Sequence, residues 1–439
     1  EQPLFIENNA FSRDSAAWEQ WQQFTPLSRR EQQTYQFLDS LGAVKRFDMV
    51  AKVFSALSTL VWPINQHIGI DLNQIFRLNE YETLRLGIGF TNAQHRPLGL
   101  AKRLEWGAGA GFGFKDQQLK YNAYGLWRIH RGRQMQLRLD LQRDLLEPGA
   151  PYEMNTTAFI DRSLYALRMD FTDEAALRFS TRMGKTWSAS VTARRQQMRP
   201  AEYLYSYRAD ENTPRTSRFT FNEVTGIIRY AYGEQVRQFL GNPSTVQRWP
   251  VVEVAATQGF GDYQYRRFLG ALYQSVFIPR LGYCRWRLEG GWVSGNAPLA
   301  KLFTLNQSAG GYTLFAISQT FQSLPDTMFL HNRFANLFFQ QEFGPILYQK
   351  RYSAPFLTLV HNMSVGNLAH RERHLNIGFL TMQRPYIESG IQLDNILRLN
   401  YVRIGWVGVG GAVFYRWGAY SDGGWRQNLA PRLSLRFTF

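Results

Sequence analysis

The chain has 439 residues, with 12 Trp, 22 Tyr, 32 Phe and 36 Gly, and Lys+Arg 50 against Asp+Glu 34 gives a net charge of +16. Mean hydropathy is only -0.34, and there is no run of about 18 apolar residues to make a membrane-spanning helix; the longest, Val53 to Trp62, is broken by Ser55, Ser58 and Thr59. The single Cys284 excludes an intramolecular disulfide and a cysteine-ligated cluster, and basic residues spread along the chain, without a patch or a motif, argue against nucleic acid.

Residues 12 to 42 show no two-residue alternation. Ser28-Arg29-Arg30-Glu31 is a capping box, with Ser28 as N-cap and Glu31 reaching back. Thr34, Tyr35, Phe37, Leu38 and Leu41 continue a helix that Gly42 closes. Phe47, Val50, Phe54 and Leu57 recur at helical spacing. Residues 1–57 are therefore expected to be short helices, on the periplasmic side or plugging a barrel mouth. Residue 1 is expected to be a processed or truncated start, because export needs a leader.

From residue 58 the rhythm changes to period two. Leu84, Leu86, Ile88 and Phe90 alternate with Arg85, Gly87 and Gly89. Leu104, Trp106, Ala108, Ala110, Phe112 and Phe114 alternate with Arg103, Glu105 and four glycines, Gly107, Gly109, Gly111 and Gly113. Met135, Leu137, Leu139 and Leu141 share one face, and Gln136, Arg138, Asp140 and Gln142 share the other. Successive strand side chains point to opposite faces, so each such segment has an apolar wall and a polar wall. The pattern recurs too often for one soluble sandwich. It predicts an all-β membrane protein, an antiparallel transmembrane β-barrel of about 16 strands (14–18), spanning 58–439. Longer connections fall near 145–162, 199–216, 233–247, 294–310 and 418–427, with sidedness left open. Trp62, Trp106, Trp127, Trp187, Trp249, Trp292 and Trp417 are candidates for interfacial girdles. The glycine wall predicts either close approach by helices or an inward loop, or barrel curvature, which is the preferred reading.

Lumen-lining candidates are Arg85, Arg138, Arg178, Arg182, Arg285, Arg287, Glu289, Arg432 and Arg436. They have two readings. Arginines could select anionic solutes, or they could pair across the lumen with Glu105, Asp140, Asp170 and Glu289; pairing is preferred, and Arg over Lys suits planar carboxylate contacts.

Candidate chemistry is sparse. His370, Glu372 and His374 have helical metal-ligand spacing but sit in a polar loop beside Arg371 and Arg373. His361, Asn362 and Ser364 resemble a hydrolase set, yet His361 and Ser364 are three apart and fall on opposite strand faces. His331, Asn332 and Asp326 have no better support. No catalytic residue, metal or cofactor is expected. The chain ends PRLSLRFTF, with Leu433, Leu435, Phe437 and the terminal Phe439 on one face. This is similar to the C-terminal signal that insertion machinery reads in Gram-negative outer-membrane proteins.

Arg13, Asp14, Trp18, Pro26, Leu27, Ser28, Glu31, Tyr35, Asp39 and Ser40 form an entry segment. With Asn79–Asn92, Gly113–Gly125 and Tyr386–Leu397, it resembles a Bacteroidota outer-membrane family of unknown function. Members often carry a carboxypeptidase-regulatory-like domain upstream, which here would precede Glu1. Tyr81-Glu82-Thr83 departs from the family's Glu-Gly pair. The resemblance implies an outer-membrane location and a partner-facing periplasmic region, and it supplies no catalytic residues. The expected role is a non-enzymatic structural or accessory subunit of an outer-membrane complex, in barrel-assembly, secretion or surface-lipoprotein machinery. A passive channel for anionic solutes and a barrel hydrolase acting on lipid or peptide are the alternatives. Expected partners are outer-membrane lipid and lipopolysaccharide, the insertion machinery, and other outer-membrane proteins.

Overall fold

A computed structural model describes residue 56 and residues 60–438 apart from 66, 93–102, 150–165, 167, 210–213, 240–241, 248, 306–313, 326, 346–347 and 402–404. The chain divides into Glu1–Trp62 and Pro63–Phe439. The helices expected within 1–57 and the terminal Phe439 lie outside the described residues.

The second unit is a single up-and-down meander of antiparallel staves. The first, β1, is broken into Gly69–Asp71 and Phe76–Asn79, both paired with β2, Thr83–Thr91. Then follow β3 Leu104–Gly113, β4 Leu119–His130, β5 Met135–Leu146, β6 Asp170–Met183 and β7 Trp187–Pro200. Next come β8 Phe219–Tyr230, β9 Val251–Phe260, β10 Tyr265–Ile278, β11 Gly282–Gly295 and β12 Arg333–Pro345. The last are β13 Phe356–Asn367, β14 Tyr386–Tyr401, β15 Gly405–Gly418 and β16 Leu429–Thr438. Each stave pairs with the next in sequence. This is a transmembrane β-barrel, and its stave number sits at the centre of the expected range.

Burial alternates as the sequence rhythm requires. Leu86, Ile88, Leu139, Leu141, Val254 and Val413 are exposed on the outer wall, while Arg85, Glu253 and Ala412 on the same staves are buried inside. A soluble protein would not leave so continuous an apolar surface in water; a bilayer solvates it. Exposed Trp106, Trp127, Trp187 and Trp249 cluster where even staves lead to odd ones, and Trp292 and Trp417 stand near the opposite end. No helix among the described residues is long and apolar enough to cross a membrane.

Most of the long connections gather at one end, which the sequence left unresolved. The odd-to-even connections include 147–169, 201–218, 296–332 and 368–385; the other end has the tight turns 131–134, 184–186 and 279–281 and one long connection, the expected 233–247, which spans 231–250 and pairs Gln235–Phe239 with Asn242–Val246 as a hairpin. The 296–332 connection extends well past the expected 294–310, and 368–385 was not among the expected long ones.

The glycine wall is filled from within. At the break in β1 the chain turns inward as a short 3-10 helix, Leu72–Gln74, capped by Asp71 accepting from Asn73 N. Gln74 lies over Gly87, Gly89 and Gly109, where any Cβ would collide with it or with neighbouring backbone. Gly107 makes room for the Tyr124 ring and Gly111 for Arg85. The filler is thus a turn of the first stave together with side chains from the neighbouring staves.

Candidate functional site

The described parts of connections 201–218, 296–332 and 368–385 fold over their end of the barrel as a cap. Ser206–Tyr207 pairs with His374–Leu375, and Phe303–Thr304 pairs with Leu330–His331. Beneath these pairs Tyr205, Tyr207, Phe219, Leu299, Phe303 and Leu330 make a buried apolar core. Tyr205 ties three segments together. Its hydroxyl accepts from Leu299 N at 2.8 Å and lies 3.0 Å from His374 Nδ1. Burial pushes its pKa well above the ordinary tyrosine value. Burial, aided by the Arg373 charge, pushes His374 down to about 4, so it is a neutral ring here. His331, fully buried, is also pushed down to about 4 by burial. Its Nε2 accepts from Met382 N at 3.2 Å, and its ring occupies the space that Gly366 leaves empty.

The 296–332 connection also crosses the lumen. On one wall Lys301, from the 3-10 helix Leu299–Lys301, reaches Glu223 of β8 at 2.9 Å and Gln196 of β7 at 2.6 Å. On the far wall, Gln322 and Ser323 meet the inward residues of β13 to β16. Glu388, with no exposed surface, accepts from Gln322 N and Ser323 N, each at 3.0 Å, and from Ser323 Oγ at 2.8 Å. Asn362 Nδ2 and Tyr386 OH complete its shell at 2.7 and 2.9 Å. Arg432 donates to Gln322 O at 2.6 Å, and Arg416 to Ser323 O at 3.2 Å. Phe321, fully buried, packs its ring 5.0 Å from Phe338 and 5.4 Å, edge-on, from Tyr386. A buried carboxylate is tolerable only when its lone pairs are met, and Glu388 uses the strap's backbone to meet them.

The strap also touches the last stave. Leu433 N donates to Leu314 O at 2.6 Å, and Ala316 N donates to Leu433 O at 2.7 Å. The two segments run parallel at this bridge.

Of the arginines singled out from sequence, Arg85 is bonded to Glu82 at 2.8 Å and to Asp144 of β5. Arg138 meets Asp140, Arg285 meets Glu342 and Arg287 meets Glu289, each at 2.8 Å. Arg436 bridges from β16 to Glu342 of β12 at 2.8 Å and to Asp394 of β14 at 3.4 Å. Arg432 holds the strap. Arg178 donates to Thr192 Oγ1 at 3.2 Å and Arg182 to Lys185 O at 2.8 Å. Glu105 takes Arg128 at 2.6 Å, whereas Asp170 accepts from the Tyr203 hydroxyl at 2.5 Å. Leu433 and Leu435 are exposed on the outer wall.

The histidine sets do not assemble into reactive sites. His370 and Glu372 are exposed, while the His374 ring is turned into the cap. Among the described residues no three His, Cys, Asp or Glu side chains are grouped to hold a metal ion. His361 faces outward, its Nδ1 2.9 Å from Ser389 Oγ of β14, which also accepts from Trp417 Nε1 at 3.1 Å. Asn362 and Ser364 are on the inner face, bonded to Glu388 and Asn336. Sequence spacing missed Glu388, Lys301 and Gln322, because their meeting depends on stave neighbours and on a connection without periodicity.

Fold and site together define a class: a membrane β-barrel capped at one end and crossed internally by its own loop. No family model and no curated protein matches the chain. Among solved structures it is similar to BamA from Haemophilus ducreyi lacking POTRA domains 1–3, at 10% identity and TM-score 0.46, covering 81% of this chain and 67% of that one. It is also similar to CdiB from Acinetobacter baumannii, at 11% identity and TM-score 0.42, and to CdiB from Escherichia coli, at 12% and 0.43. Each comparison covers 85% of this chain, which spans 58% and 62% of the two CdiB chains.

Proposed function

We propose that the chain is a bacterial outer-membrane barrel acting as a non-enzymatic subunit of a protein assembly in that membrane, for barrel assembly, secretion or surface-lipoprotein delivery. Tight turns face the periplasm and the capped end faces outward in this reading, following the usual asymmetry of such barrels. Anionic outer-leaflet lipid is then its solvent. One observation carries the proposal: the strap, bonded to β7 and β8 on one side and to β13–β16 on the other. A solute channel needs an open water column, and its builder would not spend a buried carboxylate and two arginines on closing it.

The strap's bridge to Leu433 supports the protein-handling part. A strand edge within the membrane must have its N–H and C=O groups met. A segment that meets them through two hydrogen bonds can be exchanged for a strand of another chain.

In planar bilayers the wild-type barrel is expected to be closed, and Glu388→Ala or removal of residues 314–325 is expected to open it. Steady anion-selective current through the wild type would overturn this reading in favour of a channel. A photo-crosslinker at Leu314 is expected to give adducts with other outer-membrane proteins in cells. A barrel that never forms one is not a subunit.

A further inference from the structure

We propose that the tight-turn mouth of the lumen is a binding site for a small soluble polyanion, a compound about the size of a disaccharide carrying two phosphate or carboxylate groups. The mouth holds a cavity of about 520 Å³, lined chiefly by Arg128, Arg178, Arg182, Arg229, Ser188 and Ser190. That volume is ordinary for a small-molecule site. Two of the cations are already neutralised: Arg128 by Glu105 at 2.6 Å, and Arg229 by Glu234 at 2.7 Å. Among the described residues Arg178 and Arg182 have no such carboxylate. Their acceptors, Thr192 Oγ1 and Lys185 O, are neutral.

The register sharpens the case. Arg178 stands directly opposite Arg138 across β5 and β6, and like charges in that position repel. Arg138 has Asp140 to offset it. Arg178 has no carboxylate among the described residues, although Arg is the residue whose planar fork best matches an oxyanion. The one carboxylate among the described residues of the cavity lining, Glu253, is buried on β9. Arg178 and Arg182 are four residues apart on one face of β6, so their backbones are about 13 Å apart, which calls for two anionic groups on an extended body. Serine hydroxyls between them suit the sugar-like or polar remainder.

Access decides the source. Staves β4 to β9 are joined edge to edge by continuous pairing, so a lipid headgroup cannot enter sideways. The strap and cap cross the lumen toward the other end. The ligand must come from the aqueous phase at the tight-turn side. The barrel thus works there as a dead-end cup.

The test is calorimetric titration of the detergent-purified full chain with inorganic tripolyphosphate, and with maltose as a neutral control. Saturable tripolyphosphate binding that weakens with added salt is expected, with no binding of maltose. The double variant Arg178→Gln, Arg182→Gln should bind at least about tenfold more weakly, since two charge-assisted contacts are lost. A second double variant, Arg195→Gln with Arg199→Gln on the outer wall, should bind as the wild type does. Both variants are checked for heat-modifiable electrophoretic mobility, which reports a folded barrel. Absence of saturable binding overturns the proposal, and so does equal weakening in both variants, which would mean general adsorption to a basic protein. Neither result bears on whether the barrel conducts.

Discussion

At Gly366 a missing side chain is what lets the cap seat. The His331 ring fills the position that a Cβ would take, and that ring is fully buried with Nε2 already bonded to Met382 N. Gly366→Ala therefore forces either the ring or stave β13 to move. Overpacking of this kind costs about 1–3 kcal/mol, and chemical unfolding in detergent should show it. The cost should shrink when His331→Ala is added, because the collision then disappears; additive losses would mean that the two residues do not share the space. The same residue scale shows what sequence can and cannot supply. That His361 and Ser364 fall on opposite faces is legible from spacing. That His361 meets Ser389 is not, since the pair is set by the register of β13 against β14. The partners of Arg85 and Arg436, three and four staves away, were out of reach for the same reason.

Elements with a period were legible and elements without one were not. The alternation of β2, β3, β5 and β16 is printed in the sequence because one wall meets lipid and the other does not. The 296–332 connection has no such constraint: it buries Leu299, Phe321 and Leu330 at irregular intervals against whatever wall is near. Its length and role could only be seen once folded. The cap that it builds with 201–218 and 368–385 has a definite pH response. His331 and His374 are held down at about 4 by burial, against about 6.5 for a free ring. Between those values the unfolded cap binds more protons than the folded one, so its stability rises with pH. It is complete above about 6.5 and is lost progressively as pH falls toward 4. Hydrogen exchange at 203–207 and 372–380, corrected for intrinsic rates, should therefore be faster at pH 5 than at pH 7.5. Equal protection would show that neither ring charges on opening.

For the whole molecule, the apolar exterior is a statement about solvent, and it can be tested by depth. Leu139 lies in the middle of β5 and is exposed on the outer wall, while Gln136 on the same stave lines the lumen mouth. If lipid surrounds the wall, an arginine at the bilayer midplane costs ~2–4 kcal/mol, and one facing a water-filled lumen costs far less. Leu139→Arg should then lower unfolding stability in phospholipid vesicles by that amount, with Gln136→Arg close to neutral. Native Arg195 and Arg199 already show the rule in outline: both are on the outer face of β7, toward the capped end, where the chain leaves the membrane. A core sealed from water on both sides would abolish the difference. Leu139→Arg would still be costly, but Gln136→Arg would cost as much, because its charge would be buried without a partner. The two substitutions together therefore distinguish a barrel with a wet interior from a closed sandwich.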